Sequence, residues 1–424
     1  MKNNKRWLYL PVEVKVRELD AKLLVAYYAI EEGYQVILGE HRMVESASAV
    51  YPNGIFFSKG YPNKFRKRII TNAKKNGHVI VELDEEGLIM NNTSGYLSDR
   101  MKFEMLDLVN QEYCWGKFQH KIITSSNPQY EEKCSIVGNP RFDLLKSKFQ
   151  SLYDQDAEKL RNEYGAFILI NTRFSIYNST HSKHKEDPQF LYFKQLYDSF
   201  VEMINAACKK FPDTNFVIRP HPGENADSYR TAFSSFNNVH VIHEGSIIKW
   251  ILASSVIIQN GCTSSIEAFL LGKPIISFLP VTSNEHDLAL PNKLGVEVTK
   301  IEEVNATLEN LLSENNYVSS DYKTQIAEGE KCLHYYCKWS DQVYSYETIL
   351  RLLNKIQIPM DSGKFIPPQK TFYLKENKKV KHYFPSLSIE EIQVFFNKLD
   401  VIEGKHSQII ITKLGRNLYK FHKK

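Results

Sequence analysis

The side chains best able to do chemistry stand where β-rich runs of this sequence end. NFVIR (215–219) runs into Arg219-Pro220-His221-Pro222-Gly223-Glu224. Two prolines there fix the backbone around a histidine and delay any helix. A guanidinium forks onto phosphate oxygens, and an imidazole can donate to a phosphate or to a leaving group, so Arg219 and His221 are candidate phosphate contacts. VHVIH (239–243) continues into His243-Glu244-Gly245-Ser246, with Ser246 placed as a helix N-cap. VIIQN (256–260) opens onto Asn260-Gly261-Cys262-Thr263-Ser264-Ser265-Ile266-Glu267, followed by Leu271-Gly272-Lys273-Pro274. Small hydroxyl residues at a helix start form a phosphate cradle with the N–H groups behind them. Glu267 lies three residues beyond Ser264, which suits a capping box; its other use is to bind ribose or base hydroxyls.

The first half carries a different chemistry. HVIVEL (78–83) ends in Asp84-Glu85-Glu86-Gly87, three carboxylates suited to acid/base work, or on the plainer reading a solvated acidic loop. Gly138-Asn139-Pro140-Arg141-Phe142-Asp143 closes another strand with a rigid turn and an Arg/Asp pair. Glu13-Val14-Lys15-Val16-Arg17-Glu18 extends the opening strand with charges alternating against apolar residues, so one face of it is polar. No G-x-G-x-x-G or G-x-x-x-x-G-K-[ST] occurs, which disfavours a Rossmann dehydrogenase and a P-loop NTPase. No H-E-x-x-H or paired His/Cys spacing points to a catalytic metal. Asp154-Gln155-Asp156 reads as a helix start.

Positioning these residues takes alternating strands and helices. WLYLPVEV opens the first half, a helix covers Leu19–Glu32, and strands follow at 34–38, 54–57, 78–83 and 134–137. The second half repeats the alternation, with strands at 166–171, 215–219, 239–243, 256–260 and 274–278 and helices between them. Such alternation means βαβ units and parallel sheets, with ligands at the carboxyl ends of strands. The expected architecture is α/β, two doubly wound Rossmann-like domains facing a central cleft, plus a small basic C-terminal module. The expected boundaries are 1–155, 156–355 and 356–424. In the last part a Pro/Gly linker (359–370) precedes an amphipathic helix capped by Ser386 or Ser388 and a short strand or helix at 408–414.

Length and composition agree with two domains and an appendage. The chain has 424 residues, 42% hydrophobic and 24% charged, which excludes disorder and coiled coil as descriptions of the whole. No run of about 20 uninterrupted apolar residues is present to span a bilayer. The start MKNNKRWLYLPVEVKV lacks a signal-peptide core, so a cytoplasmic location is expected. Six scattered cysteines read as reduced thiols. The net charge of +5 is uneven: residues 371–424 carry +6 and the remaining 370 sum to −1. The body is therefore not a generic polyanion binder, and the basic tail is a candidate for peripheral contact with an anionic inner membrane.

Taken in order, R-P-H-P, H-E-G-S and S-S-x-E-A-x-x-x-x-G-K-P resemble bacterial surface-polysaccharide glycosyltransferases of GT-B architecture. The opening LYLPVEVKVRELDAKLLVAYYAIEEGYQVILG, with DEEG and GNPRFD, is similar to surface carbohydrate biosynthesis proteins. The second half resembles both the capsule β-Kdo transferases, which use a CMP-activated sugar acid, and the CDP-polyol phosphotransferases. Asn260-Gly261-Cys262-Thr263 stands where the latter place an Asp and an aromatic, which tilts the resemblance toward sugar transfer. It implies a metal-independent enzyme without a cofactor, using a nucleotide-activated sugar as substrate and a glycan or lipid-linked glycan as acceptor. Donor binding would fall to Arg219, His221, His243, Ser246, Asn260, Thr263, Ser264, Ser265, Glu267 and Lys273. Catalysis would involve Glu85 or Glu86 as base, with Asp84 and His221. The acceptor would meet Glu13, Lys15, Arg17, Asn139, Arg141 and Asp143. The alternatives are polyol-phosphate transfer, a sugar-nucleotide 2-epimerase, or a scaffold with no activity.

Overall fold

The computed structural model describes residues 6–179, 187–313, 320–359, 365–366, 368, 371–375 and 378–424. They divide into two compact units, 1–152 with 334–424, and 153–333. The first is built on strands β1 (Arg6–Val12), β2 (Tyr34–Glu40), β3 (Ile55–Ser58), β4 (Val79–Leu83), β5 (Gln111–Cys114) and β6 (Cys134–Ile136). The second holds β7 (Phe167–Asn171), β8 (Asn215–Arg219), β9 (Val239–Val241), β10 (Val256–Gln259), β11 (Ile275–Phe278) and β12 (Val296–Val298). The chain then returns to the first unit with β13 (Ile409–Gly415) and β14 (Leu418–Lys423). Among the described residues no helix is long and apolar enough to cross a membrane.

The first sheet runs β13-β14-β2-β1-β3-β4-β5-β6, parallel from β2 onward, with the β13–β14 hairpin added antiparallel at its edge. The second, β12-β11-β10-β7-β8-β9, is parallel throughout. The β2 segment YQVILGE and the β7 segment FILIN are buried at every position, as expected of parallel strands covered on both faces. In the second unit the helix Pro188–Lys210 starts on Asp187, whose carboxylate accepts from the Gln189 N–H, with Pro188 in the first turn. Its buried Phe193, Leu196, Phe200 and Ile204 fall three or four apart and meet Phe216, Ile258 and Phe278 of the sheet.

Two expectations change. Residues 334–355 do not belong with the second unit: Asp143 accepts from the Ser345 and Tyr346 N–H groups (3.0 and 2.9 Å), fastening the helix Ser345–Asn354 to the first. Nor is the tail a separate module. β14 pairs with β2, Ser388 caps the helix Ile389–Glu403, and Tyr27 of the helix Lys15–Glu31 donates to Asp400 at 2.6 Å. Gly39 is required at that join, because a Cβ there would lie 2.0 Å from the Asn417 carbonyl oxygen. Of the expected linker, residues 360–364, 367, 369 and 370 lie outside the described residues. Phe365 and Phe372 pack with Trp7 and Tyr51 in an aromatic cluster.

Candidate functional site

The second sheet reverses direction beside its first strand: the chain goes from β7 to β8 and β9 on one side, then crosses to β10 on the other. The loops leaving β7 and β10 therefore diverge at a topological switch point, the usual ligand crevice of such sheets. At that edge, in spatial order, stand Asn260 after β10, Asn171-Thr172-Arg173 at the end of β7, Arg219 at the end of β8, and His243 after β9.

Each of these side chains has a defined hold. Arg219 is buried, donates to the carbonyls of Glu244 (2.7 Å) and Gly245 (3.2 Å), and lies over the Trp250 ring. It anchors the H-E-G-S loop, so the expected fork onto phosphate is already spent on backbone carbonyls. Arg173 is held likewise, on the Asn260 carbonyl (2.8 Å), the Asn260 Oδ1 (3.3 Å) and the His286 carbonyl (3.1 Å). Neither arginine forms an ion pair among the described residues. Arg219 is thus buried and Arg173 half-buried, and neither is in contact with a carboxylate, although Glu244 and Asp287 lie near enough to favour their charged forms. Burial lowers the pKa of each, that of Arg219 to about 10, and both stay cationic at neutral pH. Asn171 is buried too, and its Nδ2 has no hydrogen-bond partner, a cost that native structures seldom leave uncompensated.

Two histidines flank this edge with opposite tautomers. The Gly223 N–H donates to His221 Nδ1 (3.1 Å), which leaves Nε2 to carry the proton of the neutral ring. His243 Nδ1 lies 2.9 Å from the Pro220 carbonyl, which can only accept, so there Nδ1 carries the proton. Glu224 sets the geometry of the turn. Its half-buried carboxylate accepts from Thr172 Oγ1, the Phe174 and His221 N–H groups, and the Tyr229 hydroxyl (2.6–3.2 Å). Burial raises its pKa.

The hydroxyl run is only partly available. Thr263 is exposed and Ser264 Oγ lies 3.0 Å from Cys262 Sγ, but Ser265 Oγ donates to the Cys262 and Pro291 carbonyls. Burial raises the Cys262 pKa, as suits a packed thiol. Thr263, not Ser264, is the N-cap of the short helix Ser264–Leu270 and makes no side-chain cap bond, so the anticipated capping box does not form. Ser246 likewise caps without a side-chain bond. Glu267 is buried. Lys273 does not stand at this edge at all. It precedes β11 and donates to the Leu252 and Ser254 carbonyls (2.9 Å each), at the opposite end of the strands. The sequence signals favoured Lys273 for its charge; a helix C-terminus takes that charge up.

The carboxyl edge of the first sheet gathers a network of ion pairs. Glu13, after β1, meets Lys59, after β3, at 2.8 Å; Glu85, after β4, meets Lys22 at 3.0 Å; Glu86 meets Arg17 at 2.8 Å. Asn139 Nδ2 reaches Glu85 Oε2 at 3.4 Å, and its Oδ1 accepts from the Arg141 N–H at 2.9 Å. Buried Glu18 accepts from the Glu13 N–H and from Arg17 (2.8 and 3.1 Å). Its burial raises the pKa, but Lys59, Arg17, the Glu13 N–H and Lys22 outweigh that and hold it at about 2. Glu13, Arg17, Glu85, Glu86 and Asn139 are thus brought together.

Three expected members are not. Asp84 is buried and clamped bidentately by Arg100 (2.6 and 2.7 Å), which keeps its carboxyl ionised against burial and holds it apart from the Glu13–Lys59 and Glu85–Lys22 pairs. Asp143 is taken by Ser345, Tyr346 and Lys146. Lys15 points to the tail, bonding Glu391 (2.7 Å) and the Ser386 carbonyl. The segment 15–18 is the first turn of a helix, not a strand extension, so its alternation has no two-residue meaning. Lys22, Lys59, Asn171, Thr172, Arg173 and Glu224 went unselected. Arg173 and Lys59 follow strand ends, as the selected residues do, and Lys22 lies among the apolar positions of its helix; those were the available signals.

No protein-family profile matches this chain, and no curated protein does. Solved structures do resemble it. The wall teichoic acid polymerase TagF superposes with a TM-score of 0.55 at 13% identity, over 83% of this chain and 89% of that one. A UDP-N-acetylglucosamine 2-epimerase gives 0.54 at 14%, over 86% and 100%. The UDP-GlcNAc 2-epimerase from Neisseria meningitidis, bound to UDP-GlcNAc, gives 0.51 at 14%, over 83% and 100%. At such identities the likeness speaks for the fold: this chain has the α/β architecture of two Rossmann-like domains known as GT-B.

Proposed function

We propose that this protein is a glycosyltransferase of bacterial surface-polysaccharide biosynthesis, taking its sugar from a nucleotide-activated donor. The observation that carries the reading is a pair of guanidiniums, the buried Arg219 and the half-buried Arg173, whose described hydrogen bonds all go to neutral oxygens at the switch point of the second sheet. Two positive charges without carboxylate partners create a field that favours a diphosphate or phosphodiester there. His221 Nε2–H and the hydroxyls of Thr263 and Ser264 would donate to the phosphoryl oxygens, and Glu267 would face ribose or base. As the bond to the sugar breaks, negative charge grows on the departing phosphate. Preorganised donors and fixed cations stabilise that charge, without calling on a bound metal.

The acceptor would meet the first sheet's edge. Glu85 is the proposed base, because Lys22 and Asn139 orient its carboxylate; exposed Glu86, paired with Arg17, is the second candidate. A 3-deoxy sugar acid carried on CMP remains the donor suggested by the motif resemblance. Its supporting charge argument is weaker now that Lys273 and the Arg219 hydrogen bonds are committed elsewhere. The likeness to TagF favours a second reading, polyol-phosphate transfer from a CDP donor. The likeness to 2-epimerases keeps that activity as a comparison.

The test is incubation with CMP-, CDP- and UDP-activated donors, with and without glycan acceptors. A donor at a hundred times its Kd should stabilise the fold by about 2.7 kcal/mol, and acceptor should increase nucleotide release. Acceptor-independent conversion of UDP-GlcNAc would make the protein an epimerase. Absence of stabilisation by every nucleotide would overturn the whole reading.

A further inference from the structure

The tail leaves one strand with an open side. β13 (Ile409–Gly415) stands first in the order of the first sheet, joined to β14 on one side and met by no strand on the other among the described residues. Its first four residues, Ile409-Ile410-Ile411-Thr412, are all β-branched, as suits a strand. The Lys424 N–H donates to the Gln408 carbonyl directly opposite it at 3.2 Å, so residues 408, 410 and 412 turn their backbone groups toward β14. By the alternation of an antiparallel ladder, the N–H and C=O groups of Ile409, Ile411 and Lys413 point outward. Among the described residues only the far end is covered: a bulge follows Lys413, and Phe372 bridges to Gly415, its N–H donating to the Leu414 carbonyl at 2.9 Å.

The helix Ile389–Glu403 extends this open side. Its Phe396 ring stands edge-on to Phe421, the residue opposite Ile411, so the helix covers the face of the sheet that carries the Ile411 side chain. Glu390, Val394, Asn397 and Val401 fall on one stripe of the helix, and Lys413 interacts electrostatically with Glu390, which puts the start of that stripe beside the open edge. Val394 is 55% and Val401 81% exposed, and Ile410, on the other face of the strand, is 39% exposed. Scattered exposed valines are ordinary; these lie along a strand edge whose outward backbone groups are a template for another strand. The helix also differs in charge between its ends, with exposed Glu390 at the start and exposed Lys405 and His406 just past the finish.

We propose that this edge pairs with the same edge of a second copy of the chain. A two-fold axis at Ile411 sets Ile411 against Ile411 and Ile409 against Lys413 as hydrogen-bonded pairs, with Ile410 against Thr412 between them, and no like charges meet. The first sheets of the two copies become one. The same axis lays the two helices antiparallel on a common face, start beside finish. Glu390 of each copy then approaches Lys405 and His406 of the other, and the valine stripes face each other. A strand edge complementary to itself, flanked by helix ends of opposite charge, selects a second copy over an unrelated partner. The inference is independent of the transferase reading.

The experiment is sedimentation velocity of the full chain over a range of concentrations, with hydrogen exchange of residues 408–415 followed on the same samples. Variants are Ile411→Pro, which removes an outward N–H and is tolerated on an edge strand, and the double Val394→Lys/Val401→Lys at exposed positions; circular dichroism checks folding. The parent should pass from 49.2 kDa to twice that mass as concentration rises, and the 409, 411 and 413 amides should gain protection with it. Each variant should weaken dimerisation at least roughly tenfold. A parent that stays monomeric leaves the edge to some other occupant and overturns the proposal. So does a folded Ile411→Pro that dimerises as tightly as the parent, whatever the valine variant does. Should Ile411→Pro not fold, the amides decide: a parent dimer without added protection at 409, 411 and 413 overturns the strand pairing.

Discussion

The two sheet edges solve the problem of burying charge in opposite ways. On the first, cations and carboxylates face each other: Lys59 with Glu13, Lys22 with Glu85, Arg17 with Glu86, Arg100 with Asp84. On the second, Arg173 and Arg219 are satisfied by carbonyl oxygens and keep their charge. Hydrogen-bond satisfaction and charge neutralisation are therefore separate properties of a site. The first edge is rich in carboxylates paired with cations, which suits moving a proton; the second offers two guanidiniums with no carboxylate in contact, which suits holding an anion.

Substitutions can break this contrast. Glu85→Gln should lower turnover ~10²–10⁴-fold, the usual scale for a general base, with nucleotide affinity unchanged; Glu86→Gln serves as comparison. If both variants keep near-normal rates in a coupled nucleotide-release assay, the proton-moving role of this edge is wrong. Asp84→Ala should act on stability instead, costing about 3–5 kcal/mol in urea denaturation, since it strands Arg100 in a partly buried position. Loss of activity at full stability would return Asp84 to the catalytic set.

Acid should loosen the first edge before the second. The Glu18 carboxyl, with its folded pKa near 2 against an ordinary 4.5, stabilises the fold fully above pH 4.5, and that contribution is lost as pH falls toward 2. On the order of 3 kcal/mol is at stake. The Glu224 carboxyl, raised by burial, works in the reverse sense: its contribution is complete at low pH and declines as pH rises through its folded pKa. Denaturation of Glu18→Gln between pH 2 and 5 should show a flatter acid limb than the parent; parallel limbs would remove Glu18 from the account. The smallest effect belongs to Lys273→Met, about 1 kcal/mol of stability from lost carbonyl hydrogen bonds, with donor affinity intact. A large loss of affinity there would restore Lys273 to the donor site.

Much of the architecture was legible because parallel strands leave near-continuous apolar runs: FILIN, NFVIR and VIIQN each became a strand within a residue or so of its expected limits. The short QEYC strand (111–114) was not, because it carries a buried glutamate that Arg66 compensates from a helix 46 positions earlier. Tail and body could not be joined from sequence either. The pairing of β14 with β2 spans nearly the whole chain and leaves no local pattern beyond Gly39. Strand-end logic placed His221 and Glu85 at carboxyl edges, where they stand, but it also chose Lys273 and Asp143, which hold backbone groups elsewhere. Sequence shows that a charged group is present; it does not show whether a helix terminus already holds it. Arg173 was missed for the converse reason, since nothing in Asn171-Thr172-Arg173 announces that its partners will be carbonyls.

The central claim is that the second sheet's arginines, bonded only to neutral oxygens, hold a nucleotide phosphate. Its most direct test is calorimetric titration of CMP, CDP and UDP into the parent chain, Arg173→Met and Lys273→Met, with folding checked by circular dichroism. The account predicts that one of these nucleotides binds the parent, that Arg173→Met weakens it at least roughly tenfold, and that Lys273→Met does not. No binding to the parent, or equal binding by a folded Arg173→Met, would contradict it.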